Sequence, residues 1–125
     1  MKQVEILIID DEKKFADMLS RRLSLREVAC AVCYDGQSGL EWIRNHPGTA
    51  VLVLLDLKLP DMYGTQVLAR IKEIDPDVPV FIVTGHGTRN DEKECLALGA
   101  AEFIHKPVSI EKITTLLNFA RGTLP

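Results

Sequence analysis

Five short apolar segments alternate with five longer segments in which apolar residues recur every three or four positions. The short segments are nearly continuous in Val, Ile and Leu, which is typical of strands that are covered on both faces. They comprise residues 4–9, 28–33, 51–55, 80–83 and 102–104. The pattern therefore predicts five buried strands, each followed by a helix.

The longer segments carry apolar stripes that predict amphipathic helices, because residues three or four apart share one helix face. The stripes are Phe15, Met18, Leu19 and Leu23; Leu40 and Ile43; Val67, Leu68, Ile71 and Ile74; a weaker pattern over residues 88–98; and Ile110, Ile113, Leu116, Leu117 and Ala120. We expect Gly99 to end the fourth helix and Ser109 to cap the fifth, as their residue types favour.

Regular alternation of strands and helices predicts a parallel sheet with helices on both faces. Right-handed crossovers leave few topologies, and five strands favour the flavodoxin-like order 2-1-3-4-5. We therefore predict an α/β fold with a three-layer, doubly wound, five-stranded parallel sheet. The domain is expected over residues 1–121, with residues 122–125 as a tail or the start of a linker.

Composition narrows the classes of function. The chain has 125 residues, 46% of them hydrophobic, and a net charge of −3, which suits one domain that folds without a disulfide or metal. An acidic balance argues against direct binding of nucleic acid or a membrane surface, both of which favour a basic stripe. Neither a membrane span nor a signal peptide is predicted. Three cysteines, an odd number, favour a reducing cytoplasm.

Polar side chains follow four of the predicted strands, at the edge where such sheets bind ligands. They are Asp10 and Asp11 after the first strand, Asp56 after the third, Thr84 after the fourth and Lys106 after the fifth. Gathered carboxylates repel one another, and a hard cation such as Mg²⁺ would hold them ionised. A cation, an ammonium and a hydroxyl can bind three phosphoryl oxygens and leave a carboxylate to attack phosphorus. Asp56, alone at a central strand end, is the best candidate for that carboxylate.

These residues lie in segments that resemble the receiver domain of two-component response regulators. The matching segments are Ile8-Ile9-Asp10-Asp11, Leu55-Asp56-Leu57-Lys58-Leu59-Pro60, Val83-Thr84-Gly85, and residues 98–107 from Leu98-Gly99-Ala100 to Lys106-Pro107. Their order and spacing extend the resemblance over essentially the whole chain.

The resemblance implies a signalling reaction at Asp56. This residue would accept a phosphoryl group from a sensor histidine kinase or a phosphotransfer protein, in a reaction that depends on Mg²⁺, or on Mn²⁺ in its place. Asp11, Asp56 and the backbone carbonyl of Lys58 would bind the metal directly, and Asp10 largely through water. The domain would catalyse its own phosphorylation and dephosphorylation and turn over no separate substrate.

The resemblance also implies how the signal is held and passed on. Thr84 and Lys106 would bind the phosphoryl oxygens, and Lys106–Pro107 would be a cis peptide bond. Thr84 and Phe103 would form a switch that changes the face of the fourth helix, fifth strand and fifth helix. That face would contact a partner, an output domain or a second copy in a homodimer. Three flanking residues would tune the lifetime of the phosphate: Lys58, Gly85 and His86.

Other functions fit parts of the pattern. The fold could serve as a protein-binding module that needs no phosphorylation, although such a module has no use for the full acidic set. A Mg²⁺-dependent hydrolase of the haloacid-dehalogenase type requires Asp-x-Asp at the nucleophile, whereas the chain has Asp56-Leu57-Lys58. Phe103 also fits an ordinary core position on the last strand.

Two positions depart from the receiver pattern. Tyr63 immediately precedes Gly64, where many receivers carry Asp, and we expect its ring to contact a partner. Val108 follows Pro107, where Phe is frequent. Neither position belongs to the predicted site, so both leave the assignment of Asp56 unchanged.

Overall fold

The computed structural model describes residues 3–122. Its strands are β1 (Ile6–Ile9), β2 (Cys30–Cys33), β3 (Leu52–Leu55), β4 (Val80–Thr84) and β5 (Glu102–His105). All neighbouring strands are parallel, in the order β2-β1-β3-β4-β5. The predicted topology is confirmed, and each strand begins and ends within two residues of its predicted bounds.

A helix follows each strand: α1 (Lys13–Ser24), α2 (Gly36–Asn45), α3 (Gly64–Ile74), α4 (Arg89–Ala97) and α5 (Ile110–Ala120). The Ser109 hydroxyl accepts the N–H of Lys112 at 3.0 Å, which confirms the predicted cap of α5. Gly99 lies just beyond α4 with φ of +102°, a conformation that glycine adopts without strain. The predicted ends of these two helices therefore follow from local residue chemistry.

Alternate residues of the inner strands serve two apolar layers, because side chains of a strand point to opposite faces in turn. In β1, Ile6 and Ile8 pack with residues of α1 and α5. Leu7 and Ile9 pack with residues of α2 and α3, and α4 adds Cys95 to that layer. Coverage on both faces explains why β1 and β3 contain no polar residue, and it leaves the strand ends as the place where polar groups collect.

The predicted domain boundary lies near the end of α5. Gly122 follows α5 with φ of +71°, and the predicted tail at residues 123–125 lies outside the described residues. The assignment of residues 1–121 to the domain and 122–125 to a tail stays a prediction. Within residues 3–122, no helix has the length and apolar character needed to cross a bilayer.

Candidate functional site

Hydrogen bonds of the sheet continue past the ends of β1 and β3 and fix the backbones of two predicted site residues. The N–H of Asp10 donates to the Cys33 carbonyl at 3.0 Å. The N–H of Asp56 donates to the Ile9 carbonyl at 2.9 Å. Both aspartates are therefore held at neighbouring positions along one edge of the sheet, as the strand order predicted.

Three carboxylates meet at this edge. Asp10, Asp11 and Asp56 each bring an oxygen to a point where the three atoms lie within 4.8 Å of one another. Asp10 and Asp56 are buried, 2% and 3% exposed, whereas Asp11 is open to solvent. Hard oxygen donors at this separation fit Mg²⁺ or Mn²⁺, which prefer carboxylates and water. The exposed position of Asp11 leaves a route by which a cation can reach the pocket.

Lys106 lies against the same carboxylates. Its Nζ is 2.9 Å from Asp10 Oδ2 and 3.5 Å from Asp56 Oδ2, and it also contacts the Glu12 carboxylate. The ammonium lies 4.3 Å from the centre of the Phe15 ring, a distance at which a cation is attracted to the aromatic face. One ammonium does not balance this many negative charges, so the pocket favours a further cation.

Burial sets the protonation of the pocket. It raises the pKa of Asp10 to about 6, and the charge of Asp56 adds to this, while Lys106 and the N–H of Glu12 oppose it. Burial alone would lower the pKa of Lys106, but its hydrogen bonds to Glu12 and Asp10 raise it above the usual value. Lys106 is therefore charged at neutral pH, and ionised Asp10 lowers the stability of the fold.

Replacing Asp10 with Asn is expected to raise the free energy of unfolding near pH 7 by up to about 3 kcal/mol, the free energy that corresponds to a rise in pKa from 3.8 to about 6. Because the pKa of Asp10 is raised, its carboxyl group binds a proton more tightly in the folded state than in the unfolded chain. The stability that protonated Asp10 contributes is therefore present below about pH 4 and is lost as the pH rises through about 6. The gain from Asp10→Asn should be small in acid and full at neutral pH.

Urea denaturation of the wild-type protein and of Asp10→Asn, below about pH 4 and near pH 7 and without divalent cations, measures this difference. Asp77→Asn, at an exposed loop position, is the control and should change stability little at either pH. A gain from Asp10→Asn that is equal in acid and at neutral pH would contradict the assignment of a raised pKa.

Thr84 and Phe103 lie together at the end of β4. Thr84 is fully buried, and its Oγ1 accepts the N–H of His86 at 3.2 Å. Its carbonyl accepts the N–H of Lys106 at 2.9 Å. The Phe103 ring points inward beneath Gly87, where a Cβ would lie 2.2 Å from Phe103 Cζ and 3.0 Å from Thr84 Cγ2. Both side chains therefore border the same space beside Gly87, and a movement of Thr84 would change the space next to the aromatic ring.

The remaining predicted residues surround the pocket. Lys106–Pro107 is a cis peptide bond, as predicted. Lys58, Gly85 and His86 are exposed, and a Cβ on Gly85 would lie 4.0 Å from the side chain of Lys106. The effect of these three residues on phosphate lifetime stays a prediction.

Two acidic residues that the sequence reasoning did not single out also support the site. Glu12 contacts Lys106, and the run of three acidic residues at its position is a local pattern that could have indicated it. Asp61 accepts the N–H groups of Gly36 and Gln37 at 2.8 and 2.9 Å. This carboxylate ties the loop after β3 to the start of α2, and no local pattern marks a contact between segments so distant in sequence.

Comparison with known proteins places these residues in a family. Residues 6–118 match the family described as the response regulator receiver domain. The transcriptional regulatory protein YkoG of Bacillus subtilis is 32% identical over 120 residues, which are 96% of this chain and 52% of YkoG. The chain spans about half the length of YkoG and of other transcriptional regulatory proteins that it matches.

Solved structures agree with the sequence match. A CheY-like receiver domain of Methanospirillum hungatei JF-1 is 29% identical with a TM-score of 0.86, over 97% of this chain and 98% of the other. A chain of a CheX–CheY–BeF₃–Mg²⁺ complex from Borrelia burgdorferi is 26% identical with a TM-score of 0.85, over 94% of this chain and 89% of the other. With the family matched across most of its length and its fold shared with these structures, the chain belongs to the response regulator receiver domains of two-component systems.

Proposed function

We propose that this domain is a phosphorylation-controlled switch whose phosphoacceptor is Asp56 and whose donor is a sensor histidine kinase or phosphotransfer protein. Receiver domains of response regulators are signalling switches, and the match of residues 6–118 to that family supports the same role for this chain. The observation that carries it is the meeting of Asp56 with Asp10, Asp11 and Lys106 at one edge of the sheet. The free cysteines at positions 30, 33 and 95 fit a cytoplasmic location.

Asp11, Asp56 and the backbone carbonyl of Lys58 would hold Mg²⁺ or Mn²⁺, with Asp10 contacting it largely through water. The cation, when bound, neutralises charge on the phosphoryl oxygens and on the acceptor. Two facts support this part of the proposal: the close approach of three carboxylates, and the presence of BeF₃ and Mg²⁺ in the related CheY complex of Borrelia burgdorferi.

The transfer itself is an in-line displacement. A carboxylate oxygen of Asp56 attacks phosphorus, a P–O bond forms, the P–N bond of the donor phosphohistidine breaks, and the imidazole nitrogen takes the electron pair. The N–H of Leu57 donates to Asp56 Oδ1 at 2.8 Å and orients the carboxylate. Lys106, already 3.5 Å from Asp56 Oδ2, and the hydroxyl of Thr84 would bind the phosphoryl oxygens. Positioning and neutralisation of charge supply most of the catalysis.

The output would arise from the contacts of Thr84. When its hydroxyl turns to a phosphoryl oxygen, the space that the Thr84 side chain leaves for the Phe103 ring beneath Gly87 changes. The face formed by α4, β5 and α5 then changes its shape. That face would bind an output domain, a partner protein or a second copy of the chain, as a shift between two populations. The longer transcriptional regulators among the relatives support an output domain as one such partner.

The proposal is tested by incubating the protein with a small acyl phosphate and Mg²⁺ and measuring its intact mass. We expect the mass of one phosphoryl group to appear, and we expect a chelator to prevent it. If no adduct forms, the domain is a binding module that needs no phosphorylation. If inorganic phosphate is released rapidly and steadily without an adduct, the domain is a hydrolase. Either outcome contradicts the proposal.

A further inference from the structure

Tyr63 lies outside the pocket but contacts two segments on which the pocket depends. Its backbone pairs with Lys58 in an antiparallel bridge, within the loop that follows Asp56. Its hydroxyl donates to Asp91 Oδ1, 3.2 Å away in the first turn of α4. The half-buried ring packs against the apolar layer beneath α3 and α4. Tyr63 therefore joins the loop after β3 to the beginning of α4.

Asp91 also caps the N-terminus of α4. Its Oδ2 accepts both the N–H and the hydroxyl of Thr88, at 2.9 and 3.0 Å, while its own N–H donates to the Thr88 hydroxyl at 3.1 Å. These bonds form the cap of α4. Since the two oxygens belong to one planar carboxylate, a displacement of Tyr63 moves the group that caps the helix.

The cap of α4 is connected to the pocket through the chain between Thr84 and Thr88. Thr88 follows the short segment 85–87, which comes directly after Thr84 and contains the His86 N–H that donates to Thr84 Oγ1. The connected groups form a continuous path from the acceptor to the switch hydroxyl, and its members in order are Asp56, loop 57–62, Tyr63, Asp91, Thr88, segment 85–87 and Thr84. The hydrogen bond between Tyr63 and Asp91 joins the acceptor side of this path to the α4 side.

We propose that Tyr63 is a positioning residue that couples the loop after Asp56 to the first turn of α4. The inference rests on the proposed function, since it describes a second route by which an event at Asp56 reaches the α4 face, beside the route through Thr84. Burial and the charge of Asp91 both raise the pKa of the Tyr63 phenol. The hydroxyl therefore keeps its proton and remains a donor at neutral pH.

The test compares Tyr63→Phe with a matched control. Tyr63→Phe keeps the ring and removes the hydroxyl. Tyr34→Phe removes a similar bond elsewhere, the one that the Tyr34 hydroxyl donates to Asp17 Oδ1 at 2.6 Å. Beryllofluoride with Mg²⁺ serves as the probe of the pocket. Calorimetry measures its binding, and hydrogen exchange of the amides in residues 88–93 measures the response of α4.

In the wild-type protein and in Tyr34→Phe, we expect the probe to change exchange at the start of α4 by the same factor. In Tyr63→Phe, we expect the probe to bind but the change in exchange to be smaller by roughly two- to tenfold, the range that corresponds to one hydrogen bond. An anchor without a coupling role would alter exchange before the probe is added and leave the response to the probe intact.

A response in Tyr63→Phe within twofold of the wild-type response, with the probe bound, overturns the coupling and leaves the proposed function standing. If the probe fails to bind the wild-type protein, the proposed function itself is contradicted. The two failures are distinguished by the calorimetry.

Discussion

Asp56→Asn is expected to take up no phosphoryl group from an acyl phosphate and Mg²⁺ under conditions in which the wild-type protein takes up one. The amide oxygen of Asn is a poor nucleophile, and the substitution removes a charge that helps to bind the cation. The fold should persist, because Asn still offers an oxygen to the N–H of Leu57, which now donates to Asp56 Oδ1 at 2.8 Å. Intact mass after a fixed incubation measures the loss.

Asp77→Asn is the matched control for this experiment. Asp77 is exposed, in the loop between α3 and β4, so its substitution should leave uptake at the wild-type level. Circular dichroism of both variants checks that they are folded. An undiminished adduct on Asp56→Asn would assign the acceptor to another residue, with Asp10 or Asp11 as the nearest carboxylates.

Gly64→Ala is expected to lower the free energy of unfolding by about 1–3 kcal/mol, the usual range for overpacking, and to weaken the binding of Mg²⁺. A Cβ on Gly64 would lie 2.6 Å from the Asp56 carbonyl oxygen and 2.7 Å from Leu57 Cα. These are backbone atoms and cannot turn aside. The Gly64 N–H also donates to the Leu57 carbonyl at 2.6 Å, so the loop that carries Lys58 must shift. Urea denaturation and calorimetric titration with Mg²⁺ measure the two effects.

Gly85→Ala provides the comparison for stability. A Cβ there would lie 4.0 Å from the Lys106 side chain, which is ordinary contact, so the free energy of unfolding should change by no more than about 0.5 kcal/mol. If Gly64→Ala is as stable as Gly85→Ala and binds Mg²⁺ with wild-type affinity, the close approach at Gly64 does not determine the shape of the loop.

The order of the sheet was predictable from the regular alternation of strands and helices, and the gathering of the site was predictable from the positions of its residues at strand ends. Asp10, Asp56 and Thr84 each stand at or just beyond the last residue of a strand, and parallel strands bring their carboxyl ends to one edge. The strand bounds were less predictable. Val4 and Val28 continue the apolar pattern, but the ladders begin at Ile6 and Cys30, because hydrophobicity reports burial and not pairing.

Contacts between distant segments were the part that the pattern could not give. The contact of the Tyr63 ring with a partner stays a prediction, but no pattern in the sequence indicated that its hydroxyl binds Asp91 of the same chain. The position and rotation of α4 decide that contact, and α4 has the weakest apolar stripe of the helices. The contact of Asp61 with the first residues of α2 is a similar case. Each of these contacts joins the loop after β3 to a neighbouring helix.

The buried charge of the pocket opposes stability and serves the proposed chemistry. A neutral residue at position 10 would favour the fold, yet a carboxylate stands there, 2% exposed and with its pKa raised to about 6. Groups arranged to bind a cation and a phosphoryl group commonly carry such a penalty. The stability gain expected for Asp10→Asn and the phosphoryl uptake of the wild-type protein are two consequences of the same cluster.

The most direct test locates the phosphoryl group in the wild-type chain. The protein phosphorylated with Mg²⁺ and an acyl phosphate is treated with borohydride, which reduces an acyl phosphate to an alcohol, and its peptides are then sequenced by mass spectrometry. We predict that the reduced side chain is found at Asp56 alone and disappears when a chelator is present during phosphorylation. Modification at Asp10 or Asp11 with Asp56 unmodified, or uptake that needs no divalent cation, would contradict the account.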